Sequence, residues 1–228
     1  MKKSCIIVAS GKGKRFGGDI PKQYTQINNK PIWYYSTLPF LDICQEVVIV
    51  VHNDYIDEVK KSSTEFFSKK LADKISVVEG GSERYNSVLN GLNAIKDKDS
   101  LVAIHDSVRA LIKKETIKNA FDLAIEKGNA IVYAPVVDTI KLNDNGNYSI
   151  IDRDKLLAIQ TPQITKVDTL INAINIGIEK DFQGTDDSSF LEFAGEEIFY
   201  FKGDKSNIKL TTKEDLDYFT FFIDKYIK

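Results

Sequence analysis

Histidine and cysteine are scarce in this chain, two of each in 228 residues, alongside one tryptophan, one methionine and five prolines. Cys5 lies within one apolar run and Cys44 beside another, which makes neither a disulfide framework nor a metal-ligand pattern and suits a reducing cytoplasm. An excess of one charge is also lacking, since 31 Lys and Arg face 33 Asp and Glu for a net charge of -2. That balance argues against wholesale binding to nucleic acid or a membrane surface, so affinity for anions must come from local patches. No apolar window reaches the length of a membrane span. The run after Met1-Lys2-Lys3 is interrupted by Gly11 and Lys12 too early for an export signal. Internal repeats, low-complexity tracts and linkers are missing too. What is present, 43% hydrophobic and 28% charged residues, is ordinary for a folded domain with a self-sufficient core.

Short β-branched runs at 5–8, 47–51, 75–79, 101–105 and 130–135 alternate with amphipathic stretches near 31–38, 54–70, 83–96 and 114–127. Asp54 and Ser82 read as N-caps and Gly128 as a helix stop. Strand-helix alternation of this kind predicts crossover connections and an α/β fold, a single Rossmann-like, mostly parallel sheet with helices on both faces. One domain is expected to occupy 1–228. After Asp138 the rhythm breaks: Asn143-Asp144-Asn145-Gly146-Asn147 is a turn cluster between short alternating segments, which predicts a protruding hairpin arm over 139–157. Helices are expected to return near 166–179, 186–194 and 212–226, with a strand at 198–201 between them.

Three strand ends carry candidate chemistry. Residues 9–23 read ASGKGKRFGGDIPKQ, glycine-rich and cationic, directly after the first apolar run. No arrangement of Gly11, Gly13, Gly17 and Gly18 gives a P-loop, and Phe16 stands where a dinucleotide fingerprint needs its third glycine. What remains is a loop whose backbone N–H groups can wrap a phosphate, with Arg15 and Lys22 adding charge from two sides. Lys12 and Lys14 read as solvated. Residues 79–87, EGGSERYNS, combine two glycines with the donors Ser82, Arg84 and Ser87 at a helix start, which suits an anion or a polar base edge; an ordinary capped turn is the alternative. In 104–109, IHDSVR, an Asp just past a strand end suits Mg²⁺ or a ribose hydroxyl. His105 reads as a structural hydrogen-bonder, and Arg109 either pairs with Asp106 or meets substrate. Further polar groups at 138–141, 152–153, 160–163, 185–187 and 207–211 add up to a large, anion-friendly site.

Taken in order, GKGKRF, PKQY, GGSERYNSVLNGL, HDSVR, PVVDTIK, DRDKLLAIQTPQ, TDDSS and NIKLTTKEDL resemble the 2-C-methyl-D-erythritol 4-phosphate cytidylyltransferase family over residues 6 to about 218. Ribitol 5-phosphate cytidylyltransferases share much of this pattern, but PVVDTIK and the DR-then-LxxIQTPQ segment look more like the methylerythritol branch. The resemblance implies transfer of a cytidylyl group from CTP to the phosphorylated alcohol, in isoprenoid biosynthesis, with Mg²⁺, in a cytoplasmic homodimer. It implies that Arg15 and Lys22 stabilise the α-phosphate transition state while Ala9, Ser10, Gly11 and Gly13 lie along CTP. Gly81, Ser82, Arg84 and Ser87 would surround cytosine and ribose, and Lys209 would reach the nucleotide phosphates. Asp106 would serve metal, nucleotide or substrate, with Arg109 and Thr185 also on the substrate. Thr139 and Arg153 would meet the alcohol phosphate in a neighbouring subunit, reached by the hairpin. Ser10, Ser107-Val108 and Ala110 depart from the family's usual Ala, Ala-Ala and Pro, which bears on loop shape and substrate choice. Two readings from other classes are a nucleotide-binding module without catalysis and, more distantly, a nicotinamide oxidoreductase.

Overall fold

The computed structural model describes residues 1–11, 16 and 20–226. Strand β1 spans Lys3–Ala9. Its every side chain but the first and Val8 is buried, because helices cover both faces of the sheet it centres. Cys5, Ile7 and Ala9 point into one core and Ile6 into the other, the alternation that a pleated strand imposes. A two-residue hairpin follows, β2 (Gln26–Ile27) and β3 (Lys30–Pro31), turned by Asn28 and Asn29 at φ 50° and 60°. Sequence reading passed over it, although a two-residue Asn-Asn turn between short extended segments is its signal.

Helix α1 (Ile32–Leu41) leads to β4 (Glu46–Val51). The stretch expected as one helix over 54–70 is a 3₁₀ turn at Asn53–Tyr55, then α2 (Ile56–Phe66) and α3 (Lys69–Ala72). Phe67 breaks it by adopting φ −108°, ψ 149°, which stacks its ring on Tyr34 at 4.8 Å while Phe66 packs edge-on to the same tyrosine. Tertiary packing therefore overrides the local pattern. Next come β5 (Ile75–Glu79), α4 (Arg84–Ala94), β6 (Leu101–Asp106), α5 (Lys114–Lys127) and β7 (Ala130–Pro135). Gly128 ends α5 at φ 96°, as expected. The expected caps shift by one residue each: Tyr55 precedes α2 and Glu83 precedes α4.

The hairpin arm is β8 (Ile140–Asp144) and β9 (Asn147–Ile151), a separate two-stranded sheet turned at Asn145 and Gly146 with φ 50° and 91°. Leu142, Tyr148 and Ile150 are 52%, 68% and 73% exposed on it. The chain then enters β10 (Leu157–Lys166), a ten-residue strand that takes in the polar stretch 160–163 and that the sequence pattern did not reveal. Its LAIQTPQITK carries a cis Thr161–Pro162 bond inside a register shift between Ile159 and Gln163, which is how a proline fits within a ladder. Helices α6 (Val167–Glu179) and α7 (Asp187–Phe193), strand β11 (Tyr200–Lys202) and helix α8 (Glu214–Tyr226) complete the chain.

The central sheet runs β11-β7-β10-β6-β1-β4-β5. All pairings are parallel except those of β10, which runs antiparallel to both β6 and β7. One core holds Trp33, Phe40 and Phe121 and the other Leu92, Leu170 and Phe190, each fully or nearly fully buried. At roughly 1.5–3 kcal/mol per fully buried large apolar side chain, these layers are what fix the strand ends in space. Among the described residues no helix is long and apolar enough to cross a membrane.

Candidate active site

The parallel strands finish level with one another: Ala9 pairs with Val51, Val51 with Glu79, and Val8 with Asp106. Their carboxyl ends open on a cleft of about 870 Å³ lined by Ser10, Gly11, Lys22, Gly81, Arg84 and Asp106 among others. A switch point of this sort is where open α/β sheets bind ligands. Described residues of three segments separated widely in sequence, Ser10, Gly11, Lys22 and Gln23 of 9–23 with members of 79–87 and 104–109, thus line one cleft.

The first segment is held from behind. Pro21 leads into a 3₁₀ turn, Lys22–Tyr24, that aims Gln23 inward. The Gln23 amide donates to the carbonyls of Ala9 and Gly11 at 2.8 and 2.7 Å, and the Tyr24 hydroxyl donates to Ala9 O at 3.2 Å. With its carbonyls tied back, the strand-end backbone is presented to the cleft. Gln23 is a site-shaping residue that sequence reading missed; its PKQY motif pointed to the lysine and not to its neighbour. Lys22 Nζ donates to Leu210 O at 2.7 Å, joining the turn to the segment that carries Lys209. Arg15 and Gly13 lie outside the described residues.

The second segment meets the first through Ser87. Its Oγ accepts from Ser10 Oγ at 2.8 Å and from Gly81 N at 3.0 Å, and donates to Glu83 O at 3.2 Å. A side chain at Gly80 would bring Cβ within 2.4 Å of Ser10 Cβ, so glycine is required for this close approach. Ser10, the departure from the family's alanine, therefore acts as a cross-link between two strand ends. Ser82 is exposed and donates to Asn86 Oδ1, 3.1 Å away.

The third segment is an electrostatic hub. Asp106 is nearly buried and collects three cations: Lys209 at 2.7 Å, Arg109 at 3.7 Å and Arg84 at 3.8 Å. Burial pushes its pKa up, but Arg84, Lys209 and Arg109 outweigh that and hold it well below the ordinary carboxylate range. Arg84 in turn is gripped by both oxygens of Asp187, at 2.8 and 2.7 Å.

Behind the hub, hydrogen-bond capacity sets one arrangement. The Arg109 carbonyl can only accept, so His105 Nε2–H donates to it at 3.2 Å; Nδ1 of the neutral ring then accepts from the Thr161 hydroxyl at 3.0 Å, and Thr161 Oγ1 accepts in turn from the Asp106 N–H. His105 is neutral: burial drives its pKa down to about 4. Asn207 braces the opposite wall, donating to Gln160 Oε1 and Thr161 O and accepting from Arg109 on its carbonyl. The structural reading of His105 agrees with these contacts. Thr161, Asn207 and Asp187 were not singled out individually in the sequence.

Of the remaining expected residues, Thr139, Arg153 and Thr185 are exposed and do not line the cleft, and Arg109 stands behind Asp106 rather than on the cleft surface. Thr139 and Arg153 share the base of the hairpin, where Arg153 donates to Val137 O at 2.6 Å. A resident metal does not fit: among the described residues no group of three His, Cys, Asp or Glu could hold one, and three cations already claim Asp106.

A family model described as 2-C-methyl-D-erythritol 4-phosphate cytidylyltransferase matches residues 4–225. A protein of that name from Alkaliphilus oremlandii is 42% identical over 221 residues, covering 94% of this chain and 92% of the relative. The one from Clostridium botulinum is 40% identical, over 93% and 95%. Among solved structures, the 4-diphosphocytidyl-2C-methyl-D-erythritol synthase of Anaerococcus prevotii superimposes with a TM-score of 0.82 at 26% identity, over 98% of both chains. The cytidylyltransferase of Francisella tularensis does so at 0.78 and 28% identity, over 97% and 99%.

Proposed function

Since the chain belongs to the 2-C-methyl-D-erythritol 4-phosphate cytidylyltransferase family, we propose the following roles for its residues in that family's reaction. The enzyme joins CTP to 2-C-methyl-D-erythritol 4-phosphate, giving 4-diphosphocytidyl-2-C-methyl-D-erythritol and pyrophosphate, a step of non-mevalonate isoprenoid biosynthesis. The names of the relatives favour this alcohol over ribitol 5-phosphate, and catalysis over simple nucleotide binding. The observation that carries the reading is the cleft at four level strand ends, where the strand-end backbone and Lys22 line the same cavity as Arg84 and Lys209, which meet at Asp106.

A phosphate oxygen of the alcohol attacks the α-phosphorus of CTP, the bond to the bridging oxygen breaks, and pyrophosphate departs with the electron pair. A phosphomonoester has its second pKa near ~6, so at neutral pH the nucleophile is already largely a dianion and no general base is needed. The fully hydrogen-bonded, neutral His105 is consistent with that. Repulsion between anions is the obstacle, and positioned cations relieve it. Lys22 and Arg15 take the α-phosphate, Lys209 the leaving phosphates, and the strand-end backbone of Ala9, Ser10, Gly11 and Gly13 lies along the triphosphate. Gly81, Ser82, Arg84 and Ser87 enclose base and ribose, and Asp106, backed by Arg109, orders the cations around both substrates; Thr185, outside the cleft, would meet the alcohol only if the bound complex extends beyond it. Mg²⁺ brought in as the CTP complex would reduce the charge on the triphosphate, without a resident site on the protein.

In a homodimer, Thr139 and Arg153 of a second subunit's hairpin would meet the alcohol phosphate at this cleft. Two buried, unpaired cysteines accord with a cytoplasmic site of action. Lys22→Ala should lower kcat by roughly a hundredfold or more, the scale for removing one charge-stabilising donor, when CDP-alcohol formation is followed with CTP and Mg²⁺. A loss of only a few-fold would demote Lys22 to a substrate-attracting charge.

A further inference from the structure

Asp187 lies outside the cleft yet reaches it through one contact. Both of its oxygens accept from Arg84, from Nη1 at 2.8 Å and Nη2 at 2.7 Å. The Asp187 side chain is 2% exposed and that of Arg84 32%, so the pair runs from the interior to the cleft surface. Its interior end is fixed. Gln163 of β10 donates to Asp186 Oδ2 and accepts from Ser188 N, both at 2.8 Å, while Phe190 of α7 anchors the helix in the core.

We propose that Asp187 is a positioning residue that makes Arg84 a directed donor to an uncharged edge of the nucleoside instead of a general attractor of phosphate. Three features support this. The pair is neutral as a unit, so Arg84 carries little net charge into the cleft. Two of the five guanidinium N–H groups are occupied by Asp187, and three remain in a fixed plane. Finally, Nη2 already stands 3.8 Å from Asp106 Oδ1. Without Asp187 the guanidinium would close onto Asp106 Oδ1, withdrawing from the base, while Lys209 keeps the other oxygen, Oδ2. The proposal rests on the reading of the cleft as a CTP site.

Calorimetric titration of the full chain with CTP and, separately, with inorganic tripolyphosphate tests it. Asp187→Asn should weaken CTP about tenfold and leave tripolyphosphate at least as tight as in the wild type, because it frees the Arg84 charge. Arg84→Gln should weaken CTP to the same degree, and the double variant should lose no more than either alone, because both changes remove one directed donor. Should Asp187→Asn fail to fold, Asp187→Glu, which keeps the charge but displaces the guanidinium, takes its place with a several-fold loss for CTP only. Wild-type affinity for CTP in the Asp187 variant, equal losses for both ligands, or additive losses in the double variant would each overturn the proposal while leaving the CTP site standing. A wild-type chain that does not bind CTP would overturn the reading of the cleft, and this assignment with it.

Discussion

At the scale of single residues, the site depends on groups whose chemistry is decided by burial. His105 is the clearest case, a fully buried imidazole whose ordinary pKa of 6.5 falls to about 4 because its surroundings disfavour the charged form. Between those values the unfolded chain binds a proton that the folded chain does not, so stability must fall as pH drops from about 6.5 towards 4. The gap is worth about 3 kcal/mol when fully expressed. Asp106 contributes in a separate window: with its pKa depressed, its stabilisation is lost only as pH falls below the ordinary carboxylate value of 3.8. Asp187, pushed up by burial against the pull of Arg84, works in the opposite sense around and above that value. Urea midpoints at pH 7.5 and 4.5 should therefore drop more for the wild type than for His105→Gln, which has no such titration. Parallel pH dependence in the two proteins would show that His105 is not held neutral. Sequence alone suggested a structural role for this histidine but not its partners, because Thr161 of β10 comes to it from 56 positions away, itself held by Asn207 a further 46 positions along.

At the scale of elements, the hairpin arm is the feature least explained by its own chain. A two-stranded ribbon with a polar turn is marginal by itself, and this one belongs to no larger sheet. It nevertheless carries Leu142, Tyr148 and Ile150 exposed, with Thr139 and Arg153 at its base. The arm's amino-acid alternation made it readable beforehand, and its turn at Asn145-Gly146 is where the sequence put it. Its end was less legible: the ladder stops at Ile151, and 157 is already the start of β10. That strand was hidden because Gln160, Thr161, Pro162 and Gln163 look like loop, whereas Gln160, Thr161 and Gln163 are buried polar groups paired with Asn207, His105 and α7. If the arm completes a neighbouring site, mixing Lys22→Ala and Arg153→Ala subunits, each inactive alone, should recover up to about a quarter of wild-type sites by random pairing in a dimer. No recovery on mixing, with subunit exchange verified, would place Arg153 in its own subunit's chemistry or outside it.

At the scale of the whole molecule, the sheet, its two cores and the level ends of β1, β4, β5 and β6 were foreseeable from alternation of apolar and amphipathic runs, since buried parallel strands leave that pattern. Positions in the cleft were foreseeable as strand ends, but their grouping was not. Asp106 with Arg84 and Lys209 is an assembly across 22 and 103 positions that only the fold creates. Gln23, Ser10 and Ser87 form the complementary support, one glutamine and two serines that tie the strand-end backbone and the start of α4 together. The central claim is that this assembly transfers a cytidylyl group to a methyl-branched four-carbon alcohol phosphate. Its most direct measurement is a product analysis with CTP, Mg²⁺, and 2-C-methyl-D-erythritol 4-phosphate and ribitol 5-phosphate supplied together in equal amounts. The account predicts release of pyrophosphate with 4-diphosphocytidyl-2-C-methyl-D-erythritol as the dominant product; formation of CDP-ribitol alone, or of neither product, would contradict it.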